Sequence, residues 1–232
     1  METKQGKKTA TSRPRPSTIA IDGPVAAGKS AVGAEVARRL GYRFLDTGSM
    51  YRAFTWFVLQ RGIDPDDADA LRDAASRVRL TLERNSENTR ILVDGEDATS
   101  YLTTARVENA VSHVSRVPAV RRAMVHIQRA AAAGGGVVMA GRDIGTVVLP
   151  DAGLKVYLNA SREERARRRQ EQMALRGEEA SFESVLADLT RRDAIDSNRE
   201  ASPLRPARDA VIINSDGLTL EQVVERVISL LP

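Results

Sequence analysis

The sequence predicts an α/β fold of three layers, a central parallel sheet wound with helices, carrying a small antiparallel insert. Three observations lead there. An apolar β-branched run, Thr18 to Ile21, enters a glycine-rich turn and then an amphipathic helix. The same strand, loop and helix order returns between Tyr42 and Gln60, and such alternation is how parallel sheets are built. From Gly62 to Thr104 the rhythm changes to two alternating runs around a polar turn, the mark of an antiparallel lobe.

Each element has its own signal. The first helix carries Val32, Val36 and Leu40 at i, i+4 and i+8 and stops at Gly41, a residue suited to a left-handed cap. Tyr42–Leu45 is a second strand, and Asp46-Thr-Gly-Ser-Met-Tyr-Arg52 opens the next helix. Asp64-Pro-Asp-Asp67 starts a short helix. Val78–Leu82 and Arg90–Asp94 read as antiparallel strands, with Glu83–Thr89 turning between them and a tight turn at Asp94-Gly95. Two helices follow. One is faced by Val107, Val111 and Val114, the other begins at Pro118 with Val120, Met124, Ile127 and Ala131 inward. Gly134–Gly136 breaks the chain before the buried strand Val137–Ala140. A further strand at Lys155–Leu158 precedes Ser161-x-x-Glu164, which reads as a reciprocal capping box. An Arg-dense helix runs to Leu175 and the next starts at Ser181. Ala210–Ile213 is the last strand, and Leu218 to Leu231 carries the final amphipathic pattern. There is no internal repeat.

At 232 residues, 42% hydrophobic and 28% charged, the chain suits one globular domain with a modest insertion. It contains no Cys, which excludes disulfides, thiolate chemistry and Cys-ligated zinc. His113 and His126 lie in helical stretches and read as packing or surface residues. No membrane-length apolar run or signal-peptide core is present, so the expectation is a cytoplasmic protein. The net charge of +4 resides in residues 1–16, a Pro/Ser/Thr/Lys tail expected to be disordered. The remainder balances 30 basic against 30 acidic residues, which argues against a nucleic-acid face.

The chemistry begins at the first turn. Gly23-x-x-x-x-Gly28-Lys29-Ser30 has the spacing of a phosphate-binding loop, lying between a strand and a helix as that motif requires. Its backbone amides and the following helix N-terminus would cradle a polyphosphate. The segment Gly23, Pro24, Val25, Ala26, Ala27, Gly28 would lie along the phosphates. Lys29 would reach the β- and γ-phosphates and Ser30 would bind Mg²⁺. Only two lysines occur beyond residue 16, Lys29 and Lys155.

Open parallel sheets bind ligands beyond the C-terminal ends of their strands. Besides the loop, Asp46–Arg52 and Gly141–Gly145 meet that condition, so all three should converge on one crevice. Arg52 is either an anion ligand or a solvated helix residue, and Arg142-Asp143 either a site pair or a surface pair. In the stretch 185–199 the stripe Val185, Leu189 continues into Arg192, Asp196 and Arg199. That helix either lines a cleft or ends in solvent. Arg165, Arg167, Arg168 and Arg169 crowd one helical turn, where one or two would neutralise charge in phosphoryl transfer. No catalytic-base candidate stands out. A phosphate monoester, with a second pKa of about 6, needs none. The acceptor is therefore expected to be a nucleoside monophosphate.

These segments together, Ile21-Asp-Gly-Pro24…Gly28-Lys-Ser30, Leu45-Asp-Thr-Gly48…Tyr51-Arg52, Gly141-Arg-Asp-Ile-Gly-Thr-Val-Val148 and Arg192-Asp193…Asp196…Asn198-Arg199, closely resemble bacterial cytidylate kinases over about residues 17–230. The resemblance implies a P-loop kinase with a monophosphate-binding insert at about 62–104 and a short helical lid at about 161–180. It implies transfer of the γ-phosphoryl group of ATP to CMP or dCMP with Mg²⁺. Lys29, Arg142 and Arg199 would serve the transfer, and Arg168 of the lid would contact ATP. Arg52, Arg142 and Arg199 would hold the acceptor phosphate, while Arg192 and Asp196 would contact the sugar. Ser112, Arg121 and Asp143 would read cytosine, with Thr47 nearby. A carboxylate suits that reading, because the exocyclic amine of cytosine is a donor that uracil lacks. Ser30 stands where many members have Gly, and the tail 1–16 has no counterpart. The enzyme is expected to act as a monomer on small molecules, away from membranes and nucleic acid. The rivals are a kinase of the same fold acting on another acceptor such as UMP, a nucleic-acid-associated ATPase and a P-loop GTPase.

Overall fold

The computed structural model describes residues 16–84 and 89–231. β1 (Thr18–Asp22) runs into the loop and then α1 (Lys29–Leu40), which Gly41 closes at φ 68°, its amide bonded to the Arg38 carbonyl. β2 (Arg43–Asp46) opens directly into α2 (Thr47–Gln60). α3 (Ala68–Arg77) starts where the Asp67 carboxylate accepts from the amides of Asp69 and Ala70. β3 (Leu80–Arg84), β4 (Thr89–Val93) and β5 (Glu96–Asp97) form the small antiparallel sheet. α4 (Ala105–Arg116) and α5 (Pro118–Ala132) are separated by Val117, with Pro118 in the first turn of α5. β6 (Val137–Gly141) leads into a π-helical turn at Ile144–Val148 and then β7 (Leu154–Asn159). α6 (Arg162–Ala174), α7 (Phe182–Asn198), β8 (Val211–Asn214) and α8 (Leu220–Ile228) complete the chain.

The main sheet is wholly parallel, in the order β2-β6-β1-β7-β8. β1 is therefore central, and β6 and β2 end beside the loop that leaves it. Alternation divides the layers. Ile19 and Ile21 face α1 and α8, packing with Val36, Val138, Val156, Val223 and Val227. Ala20 and Met139 point to the other face, against Ile144, Val148 and Ala132. A further apolar cluster joins α2, α3, β4, α4 and α5, with Phe54, Leu71, Val114 and Met124 at its centre. No helix of the described residues is long and apolar enough to cross a membrane.

Several sequence expectations shift here. The strand expected at Val78–Leu82 begins two residues later, because Val78 still belongs to the end of α3, its amide bonded to the Ala74 carbonyl. On α5 the fully buried line is Val120, Arg121, Met124 and Gln128, with Ile127 and Ala131 only partly covered. The buried Arg121 turns that face toward the functional crevice. At α6, Ser161 accepts from the Glu164 amide, but the reciprocal half is absent. The Ser161 amide donates to Asp216 at 2.8 Å, and Glu164 pairs with Arg168 instead. The complete reciprocal cap is at Thr219 and Gln222, before α8. Residues 1–15 of the expected tail and 85–88 of the expected turn lie outside the described residues. Pro16 belongs to the folded body: its carbonyl accepts from the Tyr42 hydroxyl at 2.9 Å.

Candidate active site

The loop after β1 is held by geometry that requires glycine. A Cβ on Gly23 would sit 2.0 Å from the Leu158 carbonyl oxygen of β7, and Gly28 takes φ 89° at the entry to α1. Lys29 is buried, and its ammonium donates to the Pro24 carbonyl at 2.5 Å, folding the side chain over the loop. Burial, reinforced by the Arg142 charge, holds that ammonium well below its ordinary range. An incoming polyanion would favour the charged form. The Ser30 hydroxyl donates to Asp46 at the end of β2 at 3.1 Å. Burial raises the Asp46 carboxyl, but Arg52, Ser30 and Lys29 outweigh it and leave it below the usual carboxylate range.

Asp22, the last residue of β1, braces the crevice from beneath. Its two oxygens accept from the amides of Ile144 and Gly145, each at 2.7 Å, so the turn after β6 is tied to the central strand. Burial pushes Asp22 up to about 6 in spite of both amide bonds. Thr47 donates to the Ala140 carbonyl at 2.8 Å, locking the start of α2 onto β6. A Cβ on Gly141 would fall 2.6 Å from the same hydroxyl, which accounts for glycine there.

One cavity of about 520 Å³ spans these strand ends. Lys29, Ser30, Val25, Ala26 and Gly28 line one end. Thr47, Arg52, Ser112, Arg121, Arg142, Asp143, Arg192, Asp196 and Arg199, the whole acceptor set nominated from sequence, line the rest. The loop residues Gly23, Pro24 and Ala27 stay behind this lining. So does Arg168, which reaches away to Ser215, its guanidinium bonded to that hydroxyl at 2.9 Å and carbonyl at 2.7 Å. From the 62–104 stretch only Thr103 touches the cavity; the lining on that side comes from α4 and α5.

Charge pairing inside the cavity is dense. Arg142 and Asp143 do not pair with each other. Arg142 donates to Asp196 at 2.8 Å, and Asp143 accepts from Arg121 at 2.6 Å with Arg199 3.9 Å from its other oxygen. Asp196, in the last turn of α7, also receives Arg199 at 3.3 Å. Burial raises the Asp196 carboxyl, yet Arg142 and Arg199 leave it below the usual range. Arg52 is steadied by Ser49 at 2.8 Å and Asp46 at 3.4 Å. The Tyr51 ring lies 5.2 Å from the Arg121 guanidinium carbon, and burial pushes its phenol to about 12. The lining carries eight cationic side chains against four carboxylates, a match for phosphate-rich ligands. Buried donors of four of them, Arg52 Nε, Arg121 Nε, Arg192 Nε and Arg199 Nη2, make no hydrogen bond within the protein and keep capacity for a ligand.

Sequence reasoning passed over Tyr51, Glu108, Gln172 and Arg176, which also line the cavity together with Arg169, the one of the four crowded arginines that does. Their signal was helical spacing. Glu108 precedes Ser112 by four residues, and Arg165, Arg169, Gln172 and Arg176 share one stripe. At the base of that stripe Arg165 is buried, donating to the Val25 carbonyl of the loop at 3.1 Å and paired with Asp193 at 2.8 Å.

Residues 19–232 match the family described as cytidylate kinase. A cytidylate kinase of Mycolicibacterium paratuberculosis (strain ATCC BAA-968 / K-10) is 50% identical over 89% of this chain and 91% of its own. A bifunctional pantoate ligase/cytidylate kinase of Synechococcus sp. (strain JA-2-3B'a(2-13)) is 48% identical over 95% of this chain, which spans 41% of that longer relative. Among solved structures, an uncharacterized protein from Eubacterium ventriosum ATCC 27560 superposes with a TM-score of 0.50 at 12% identity. It covers 92% of this chain and 96% of its own, and shows the fold alone.

Proposed function

The chain belongs to the cytidylate kinase family, and from that premise we propose that it moves the γ-phosphoryl group of ATP onto CMP and dCMP, giving the diphosphates. The observation that carries the proposal is convergence. The Lys29 loop and the arginines Arg52, Arg142 and Arg199 line one cavity at the rim of one sheet, so donor and acceptor meet end to end.

In this reading the backbone of Gly23–Gly28 and the N-terminus of α1 hold the β- and γ-phosphates, and Lys29 follows the charge as it shifts to the leaving oxygen. Arg52, Arg142 and Arg199 fix the acceptor phosphate. An ionised oxygen of that phosphate attacks the γ-phosphorus while the bond to the β-bridging oxygen breaks, and ADP leaves with that electron pair. The acceptor arrives already deprotonated, which removes the need for a protein base. Arg192 and Asp196 hold the sugar. Asp143 accepts from the exocyclic amine of cytosine, with Ser112, Arg121 and Thr47 around the base. The 62–104 lobe and the 161–180 region, built on α6, would close over the two nucleotides, excluding water.

The Ser30 hydroxyl and the ionised Asp46 carboxylate, 3.1 Å apart, are hard oxygen donors of the kind Mg²⁺ takes. Bound there, Mg²⁺ would neutralise charge on the β- and γ-phosphate oxygens. We place the enzyme in the cytoplasm, acting as a monomer on free nucleotides. A coupled assay over CMP, dCMP, UMP and AMP tests the assignment: CMP and dCMP should be turned over fastest. A preference for UMP or AMP would reject the cytosine reading.

A further inference from the structure

One carboxylate holds the arginine helix across the crevice. Glu108 stands in the first turn of α4, one helical turn ahead of Ser112, and both line the cavity. Its carboxylate is paired with Arg169 of α6, and Arg176, just beyond that helix, lies 3.7 Å from its other oxygen. Glu108 and Arg169 are 16% and 15% exposed, so this is not a solvated surface pair. Among the described residues, these are the only ion pairs joining 162–176 to the stretch 62–117. The other cavity carboxylates, Asp46, Asp143 and Asp196, are bound to arginines outside α6.

Arg169 and Arg176 line the same cavity as Lys29 and Ser30. A guanidinium fork fits phosphate as well as carboxylate, and a polyphosphate brings more charge. We infer that Glu108 is a stand-in anion. It keeps Arg169 and Arg176 poised over the crevice, and it competes with the phosphates of a nucleoside triphosphate for those two side chains. Binding of the triphosphate then moves both guanidinium groups from carboxylate to phosphate. Glu108 is thereby a positioning residue, and Arg169 and Arg176 are phosphate ligands of the lid. The inference rests on Gly23–Ser30 being a triphosphate cradle and requires nothing of the acceptor.

Competition fixes the sign of the effect, since whatever steadies the arginines before binding must be surrendered on binding. Equilibrium binding of ATP to the full chain, without acceptor, is the test. Glu108→Gln should tighten ATP by about fivefold. Glu108→Asp keeps the charge but shortens the reach, and should also tighten it. Both gains should vanish in an Arg169→Ala, Arg176→Ala background. Unchanged or weaker binding in Glu108→Gln overturns the inference. So does a gain confined to Glu108→Gln, or one that persists without the two arginines, since either would be long-range electrostatics. Loss of ATP binding by the wild-type chain would instead sink the cradle reading, and the inference with it.

Discussion

Arg121 donates to the Asp143 carboxylate at 2.6 Å, with the two side chains 3% and 4% exposed. Two residues assigned to reading one base are thus each other's buried counter-charge, and Arg199 approaches the same carboxylate at 3.9 Å. Asp143→Ala would leave guanidinium groups uncompensated in the interior and should lower unfolding stability by about 3–5 kcal/mol. Chemical denaturation measures that cost. At temperatures where the variant stays folded, turnover of CMP should suffer far more than ATP binding, and equal losses in both would remove Asp143 from base reading.

Lys29 should show function and stability pulling apart. Its buried ammonium is held well below its usual range, so the folded chain bears a penalty at any pH where the unfolded chain would hold that proton. The sign follows directly. With the folded value depressed, the penalty is complete at low pH and is relieved as pH rises through the folded value toward the unfolded one. Lys29→Met should therefore raise the thermal midpoint at pH 7 while cutting turnover by about 10²–10³-fold. A variant both inactive and less stable contradicts this.

Asp22 makes a pH-dependent contribution of its own. Its folded value of about 6 lies above the ordinary carboxylate value of 3.8, so the folded state takes up a proton first. Stability attributable to Asp22 is present at low pH, declines as pH climbs from about 4 to 6, and is lost above that. The full span is about 3 kcal/mol. Carbon-detected NMR of the Asp22 carboxyl should give a midpoint near 6, and a midpoint below 4.5 would refute the burial argument.

The Ser30–Asp46 pair predicts a metal phenotype separable from activity. Ser30→Ala and Asp46→Asn should each weaken Mg²⁺ binding to the ATP complex by at least about tenfold, read by calorimetric titration of Mg²⁺. ATP binding measured without Mg²⁺ should change much less. If neither variant moves the Mg²⁺ titration, these oxygens do not hold the ion.

Much of this was legible beforehand because the signals were local. Gly23–Ser30 needs only its own spacing between strand and helix, and the stripe Val185, Leu189, Arg192, Asp196 lies within one helix, although only the fold decides that its charged end faces the cavity and not solvent. What was not legible depended on pairing between distant residues. Arg142 and Asp143 are neighbours in sequence, yet their partners are Asp196 and Arg121. Four arginines in one turn of α6 look alike until the fold separates them. Arg165 is buried against Asp193, Arg168 turns to Ser215, and Arg169 alone of the four lines the crevice. The capping box at Ser161 failed for the same reason: Asp216, 55 residues away, took the amide that Glu164 was expected to hold.

The place of β1 in the sheet has a consequence for how the protein is made. Thr18 pairs with Val137 and Ile19 with Leu154, so the strand that carries the phosphate loop meets its neighbours only when more than half the chain exists. On a ribosome the glycine-rich segment emerges early and must wait, without a flanking strand on either side, for β6 and β7 to follow. Such distant pairing is slow and leaves apolar edges open meanwhile. Nucleotide in the cell can thus steady finished molecules, while a half-translated one depends on whatever else keeps Ile19 and Ile21 from sticking to their surroundings.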